Sequence, residues 1–218
     1  MDEINTYYKV VERAFEKLAP YYDAICLPIS GVREQVADLI ASGEGSRILD
    51  VATGTGAQAF AFAKRGHNVV GIDLSEAMIQ VARNKNKTGK VGFEVVDATH
   101  LVFPNDSFDV SSISFALHDM PLVIREKVLS EMVRVTKSGG TILIVDYRLP
   151  KNHLGRWLVY HLIGLYESTY YTEFIASDFP GLLGKAGVQI ALDHPVLLGV
   201  ARIIKGLKLG KIATEAAQ

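Results

Sequence analysis

The stretch Ile48-Leu49-Asp50-Val51-Ala52-Thr53-Gly54-Thr55-Gly56-Ala57 constrains the fold more than any other part of the chain. Its apolar run reads as a buried strand ending in a carboxylate, which two closely spaced glycines then turn into a helix. Open α/β sheets bind nucleotide-like ligands where a strand feeds a glycine turn and a helix N-terminus. The pattern therefore predicts a doubly covered sheet with its ligand over the carboxyl ends of the strands.

The sequence keeps this rhythm beyond the turn. Strands are predicted over Arg47–Ala52, Asn68–Asp73, Val91–Val96, Phe108–Phe115 and Thr141–Asp146. Helices are predicted over Ala57–Arg65, from a Ser75 cap to about Lys85, and from Pro121 until Ser138-Gly139-Gly140 breaks the last one. Nearly continuous apolar strand interiors mark a parallel sheet covered on both faces. Two further strands, near Val188–Asp193 and Val196–Lys205, would close it, after a helix ending at Leu182–Gly187. Residues 1–45 read as a helical extension. Its first helix carries Val10, Val11, Ala14, Phe15, Leu18 and Ala19 and stops at Pro20. A linker begins at Tyr21-Tyr22-Asp23. A second helix after Ser30 carries Val32, Val36, Leu39 and Ile40 and ends at Gly43 and Gly45. Trp157–Tyr171 reads as helical and aromatic.

Composition narrows the function classes. The 218 residues, 49% hydrophobic, suffice for one large core and an appendage. With 23 basic and 24 acidic side chains there is no general positive field to attract nucleic acid. A single cysteine, Cys26, excludes an internal disulfide and a cysteine zinc cluster, and no HExxH pattern supplies another metal site. The amino-terminal residues lack the features of a signal peptide, and no apolar run approaches the roughly 18 residues of a membrane span. These features predict a cytoplasmic protein, monomer or homodimer, with neither nucleic-acid partner nor membrane insertion. The basic residues Arg202, Lys205, Lys208 and Lys211 read as a solvated strand edge.

The acids decide the cofactor. Gly54-x-Gly56-x-x-Ala59 with Asp73 fits a loose dinucleotide fingerprint. Asp50, however, ends the strand where a dinucleotide would bring its pyrophosphate. A carboxylate repels phosphate there and attracts an amine. Asp97-Ala98 places another acid after the third strand. A ligand with a cationic end, a ribose diol and an adenine would use these groups in turn. Gly54 and Gly56, with Ala52 and Thr53, admit close backbone approach. Asp73 accepts from the ribose hydroxyls, Asp97 from an exocyclic amine, and Leu74 and Met78 wall the purine. That ligand is S-adenosylmethionine. An NAD(P)-dependent oxidoreductase and a non-catalytic S-adenosylmethionine-binding module are the rival readings.

Leu49–Gly56 resembles motif I of class I S-adenosylmethionine-dependent methyltransferases. Gly71–Met78 is similar to their second-strand motif, and Asp97-Ala98 with Phe103–Val110 to their third- and fourth-strand region. Arg134-Val135-x-x-x-Gly139-Gly140 is similar to their approach to strand five, and Ala186–Lys208 to their ending. The closest likeness is the branch containing quinone-biosynthesis C-methyltransferases. The resemblance implies a Rossmann-like α/β fold with a seven-stranded, mostly parallel sheet of order 3-2-1-4-5-7-6, its last strand antiparallel. It also implies a methyltransferase domain over residues 46–208, a substrate lid at about 151–180 and a tail at 209–218. The N-terminal segment would fold over the cofactor, with Tyr22 as a contact, and Phe115 would join the cofactor set. That branch carries an Arg-Asn pair where this chain reads His118-Asp119, and an acid where Ala57-Gln58 stands. Both departures leave the acceptor open.

A sulfonium methyl is already activated, so transfer needs alignment of a small-molecule acceptor and removal of any proton its nucleophile carries. His118 is a candidate base oriented by Asp119, or else a packing residue. Arg148 would hold an acidic substrate or form a surface ion pair. Tyr166, Tyr170 and Tyr171 are lid or core candidates.

Overall fold

The computed structural model describes residues 2–40, 45–150, 156–157 and 170–210. Seven strands form one sheet: β1 (Arg47–Val51), β2 (Asn68–Asp73), β3 (Val91–Val95), β4 (Phe108–Ser114), β5 (Thr136–Tyr147), β6 (Val188–Val196) and β7 (Ala201–Lys208). Their order is β3-β2-β1-β4-β5-β7-β6. The first five pair in parallel, and β7 runs antiparallel between β5 and β6. The expected fold class, strand order and antiparallel last strand are all present.

Seven helices accompany the sheet among the described residues: α1 (Asp2–Leu18), α2 (Ser30–Asp38), α3 (Ala57–Lys64), α4 (Glu76–Lys85), α5 (Leu122–Val135), α6 (Tyr170–Ala176) and α7 (Phe179–Lys185), besides single turns. Alternate strand residues feed two cores, as the two-residue period of a strand requires. Leu49, Val51, Ile113, Ile142 and Ile144 pack with α5, α6 and α7. Ile48, Val69, Val110, Leu143 and Val145 pack with α2 and α3. Ile48 and Leu49 are both fully buried, on opposite faces, which is why the strands read as unbroken apolar runs.

Four local expectations change. On α1 the inward stripe is Ile4, Tyr7, Tyr8, Val11 and Phe15, while Val10 and Leu18 are exposed. Two overlapping apolar stripes share this helix, and the aromatic one wins the larger buried area. Tyr21-Tyr22-Asp23 is not a linker, because the chain turns through a one-turn helix (Tyr22–Ile25). Asp23 bonds Thr55 Oγ1 and Lys85 Nζ, both at 2.6 Å, which ties this turn to the glycine loop and to α4. Helix α5 ends at Val135, before Ser138-Gly139-Gly140: Thr136 is already extended (ψ 138°) and its Oγ1 donates to the Met132 carbonyl at 2.6 Å. Val196 belongs to β6, and the reversal into β7 runs through Leu197, Leu198 and Gly199, all at positive φ.

Candidate active site

The sheet order reverses at β1, which lies between β2 and β4. The crevice beyond their carboxyl ends is where such sheets receive ligands. After β1 the backbone passes through Ala52 (φ 51°), Gly54 (φ 55°) and Gly56 (φ 82°) into α3. A Cβ on Gly56 would lie 2.6 Å from the Phe93 ring, so steric and conformational demands agree on glycine. Phe115, at the end of β4, also adopts a positive φ of 51°. Ala52 and Phe115 both line the crevice, and left-handed non-glycine residues of this kind collect at functional sites.

Asp50 is buried, 1% exposed, and accepts Thr53 Oγ1 at 2.6 Å. It has no cationic side chain within 4 Å among the described residues. It lines a side pocket of about 500 Å³ together with Arg33, Thr53, Gln58 and Ser114. Burial pushes its carboxyl up to about 7, against the downward pull of the Thr53 hydrogen bond and the Arg33 charge.

That pocket shares Tyr22, Ala52, Gly54, Ser114 and Phe115 with a main cleft of about 780 Å³. Asp73 ends β2 there, accepting the Gly54 N–H at 2.8 Å and the Ser75 N–H at 2.9 Å. Desolvation raises its pKa, opposed by these N–H groups. Ser75 caps α4 by accepting the Met78 N–H. Asp97 accepts the Thr99 N–H and hydroxyl, both at 2.8 Å, and the Tyr8 hydroxyl at 2.9 Å. Leu74, Met78 and Ala98 complete the walls, and Tyr7, Tyr8, Val11 and Phe15 of α1 roof them. Tyr7 titrates well above the ordinary phenol range because it is desolvated and faces Asp119, Asp73 and Asp97.

The loop after β4 turns over Leu117–Asp119. His118 is 3% exposed and does not line the cleft; Asp119 and Met120 do. The His118 ring stacks edge-on to Tyr147 (4.7 Å), Tyr171 (6.1 Å) and Phe174 (6.4 Å). Its nearer carboxylate is Asp146, 2.7 Å from Nδ1; Asp119 lies 3.5 Å from Nε2.

Of the sequence candidates, Asp50, Ala52, Thr53, Gly54, Asp73, Leu74, Met78, Asp97, Ala98, Phe115, Asp119 and Tyr22 meet around the cleft and its side pocket. Gly56 shapes the turn behind it. Tyr171 is fully buried beside Tyr147, and Tyr170 lies 6.4 Å from Tyr7. Arg148 pairs with Asp193 at 3.6 Å, the surface ion pair that was one of its two readings. Tyr166 lies outside the described residues. Sequence reasoning missed Arg33, Ser114, Val128 and Ile124; among the N-terminal tyrosines it favours Tyr21 and Tyr22 over Tyr7 and Tyr8 as cover, whereas Tyr7, Tyr8 and Tyr22 line the cleft and Tyr21 is exposed. The aromatic spacing on α1 was a usable signal for the roof; Arg33 had none.

Comparison with known proteins fits this geometry. Residues 48–140 match the family model described as a methyltransferase domain. The chain is 34% identical over 167 residues to a ubiquinone/menaquinone biosynthesis C-methyltransferase of Geobacter sulfurreducens, a match covering 68% of this chain and 64% of that protein, just under two thirds of its length. To the protein of the same name in Geotalea daltonii it is 30% identical over 91% of this chain and 96% of the other. Its fold is similar to that of the magnesium protoporphyrin IX methyltransferase of Synechocystis, solved with bound S-adenosylhomocysteine. There the TM-score is 0.66 at 21% identity, over 82% of this chain and 83% of the other. Sequence motifs, sheet order and relatives agree: the chain belongs to the class I S-adenosylmethionine-dependent methyltransferases.

Proposed function

We propose that this chain binds S-adenosylmethionine across the two pockets and transfers its methyl group to a small-molecule acceptor at carbon, oxygen or nitrogen. One observation carries the reading. A buried acid, Asp50, and a cation, Arg33, share a pocket that opens into an apolar cleft bearing Asp73 and Asp97. Opposite charges in one pocket suit the ammonium and carboxylate of an amino-acid end. A buried carboxylate held near neutrality gains most from a ligand ammonium. The same carboxylate opposes a pyrophosphate, which weighs against the nicotinamide reading. Asp73 and Asp97 keep acceptor capacity for a ribose diol and an exocyclic amine beyond the bonds they already make. The residues present therefore fit the cofactor.

When bound, the cofactor supplies an activated sulfonium methyl for direct displacement. This chain's residues orient and exclude water. Helix α1 and Tyr22 of the N-terminal extension (residues 1–45) roof the cleft, and residues 46–208 form the methyltransferase domain; most of the expected acceptor-side lid (151–180) and tail (209–218) lies outside the described residues. Tyr170 belongs to that acceptor side, beside Tyr7. Asp119 faces the cleft and His118 stands behind it, held by Asp146, so removal of an acceptor proton falls to Asp119 with His118 as its support. The protein acts in the cytoplasm as a monomer or homodimer; no described helix is long and apolar enough to cross a membrane.

A panel of quinols, phenols and amines, assayed for S-adenosylhomocysteine release, tests this reading. One acceptor class is expected to turn over, and Asp119→Asn to slow it by about 100-fold or more if a proton is removed. Tight cofactor binding with no release from any class would favour the non-catalytic module instead.

A further inference from the structure

Arg125 of α5 is 0% exposed and has no carboxylate within salt-bridge distance among the described residues. A guanidinium stripped of water, with Glu173, Asp146 and Glu126 attracting it only from beyond contact, is an unfavourable arrangement that Leu or Met at this helix position would avoid. Its hydrogen bonds show what it does there. Nε donates to the Leu117 carbonyl at 3.1 Å and Nη2 to the Met120 carbonyl at 2.9 Å, the two carbonyls that bracket the turn Leu117–Asp119. The other polar side of the same turn is held by Asp146 of β5. Its Oδ2 accepts the Leu117 N–H at 3.0 Å and the His118 N–H at 3.3 Å, and its Oδ1 lies 2.7 Å from His118 Nδ1.

We infer that Arg125 is a positioning residue which, opposite Asp146, clamps the loop after β4 and so sets Asp119 and Met120 against the cleft. A cation on α5 holds the loop's carbonyls while an anion on β5 holds its N–H groups. Two carbonyls at a fixed separation suit the rigid fork of arginine and not the single point of a lysine ammonium. The guanidinium carbon also lies 4.9 Å from the centre of the Phe174 ring on α6, within cation–π range. Tyr170 at the start of that helix packs against Tyr7 of the cleft roof. Arg125 thus joins the loop, α6 and, through α6, the roof. The consequence for turnover rests on the proposed methyl transfer; the clamp itself does not.

The test compares Arg125→Met and Arg125→Lys with the wild-type chain by amide hydrogen exchange and by steady-state kinetics. Arg125→Met is expected to lower protection of the Leu117 and His118 amides at least tenfold while leaving β1 amides protected. It is expected to lower kcat by about 10- to 100-fold, because small misplacements of an orienting wall are amplified in rate. Arg125→Lys is expected to fall between, and it decides the matter alone if the Met variant does not fold. Wild-type protection of those two amides, or uniform loss of protection with unchanged kcat of the folded fraction, would overturn the inference. Hydrogen exchange needs no acceptor. A chain that binds cofactor but turns over nothing would refute the proposed reaction and still report on the clamp.

Discussion

Asp50→Asn is expected to weaken S-adenosylmethionine binding by about 100- to 1000-fold, the range for deleting one partner of a buried charge pair. The substitution preserves shape and leaves an oxygen to accept the Thr53 hydroxyl, now at 2.6 Å. It removes only the charge that the ligand ammonium would meet. S-adenosylhomocysteine keeps that ammonium, so its affinity should fall by a similar factor. The fold should survive, because a buried carboxyl pushed up to about 7 is poorly stabilised as an anion and a neutral amide relieves that penalty. Calorimetric titration and a thermal melt of the same sample separate the two effects. Binding within threefold of wild type would remove Asp50 from the amino-acid subsite. Tighter binding of a dinucleotide to the variant would point to the oxidoreductase reading.

Asp146→Ala is expected to destabilise the chain by about 3–5 kcal/mol, the range for removing one member of a buried charged network. Asp146 is 1% exposed and satisfies the backbone N–H groups of Leu117, His118 and Tyr147 as well as the His118 ring. Truncation removes the acceptor these buried donors share, beside Arg125, whose charge then loses the attraction of the β5 anion. Urea unfolding monitored by circular dichroism measures the loss. Asp146→Asn, which keeps an acceptor oxygen, should recover part of it. A change under about 1 kcal/mol for the alanine variant would mean that water or a shifted loop replaces the carboxylate.

The sheet was legible because its strands carry two signals at once. Ile48 and Leu49 face opposite cores, so burial on both sides makes β1 apolar throughout. The turn after it needs glycine at position 56, where any side chain would meet Phe93. The acids Asp50, Asp73 and Asp97 were legible for a related reason: each lies within two residues of a strand's carboxyl end, and that end of a parallel sheet has one address. What sequence spacing cannot reach is contact between elements distant along the chain. Arg33 shares a pocket with Asp50 only because α2 packs against α3, beside the glycine turn. His118 meets Asp146, 28 residues away, only because β4 and β5 are neighbours, whereas adjacency in sequence suggested Asp119. The reversal at Leu197–Leu198 was misread for another reason, since bulky residues at positive φ contradict local preference and give no turn signal before Gly199.

Because Asp50 offers its ionised carboxylate to a cationic cofactor end, calorimetry of the wild-type chain at pH 6 and pH 8 should register its titration. Below a pKa of about 7 the acid is protonated and has no charge to offer, so affinity should fall by roughly tenfold from pH 8 to pH 6. Near pH 7, binding should release a fraction of a proton, visible as a dependence of the heat on the buffer's ionisation enthalpy. S-adenosylmethionine and S-adenosylhomocysteine are expected to bind with this signature, and NAD(H) and NADP(H) not to bind. Binding of a nicotinamide cofactor in place of S-adenosylmethionine, or an S-adenosylmethionine affinity that does not change between the two pH values, would rule out this role for Asp50.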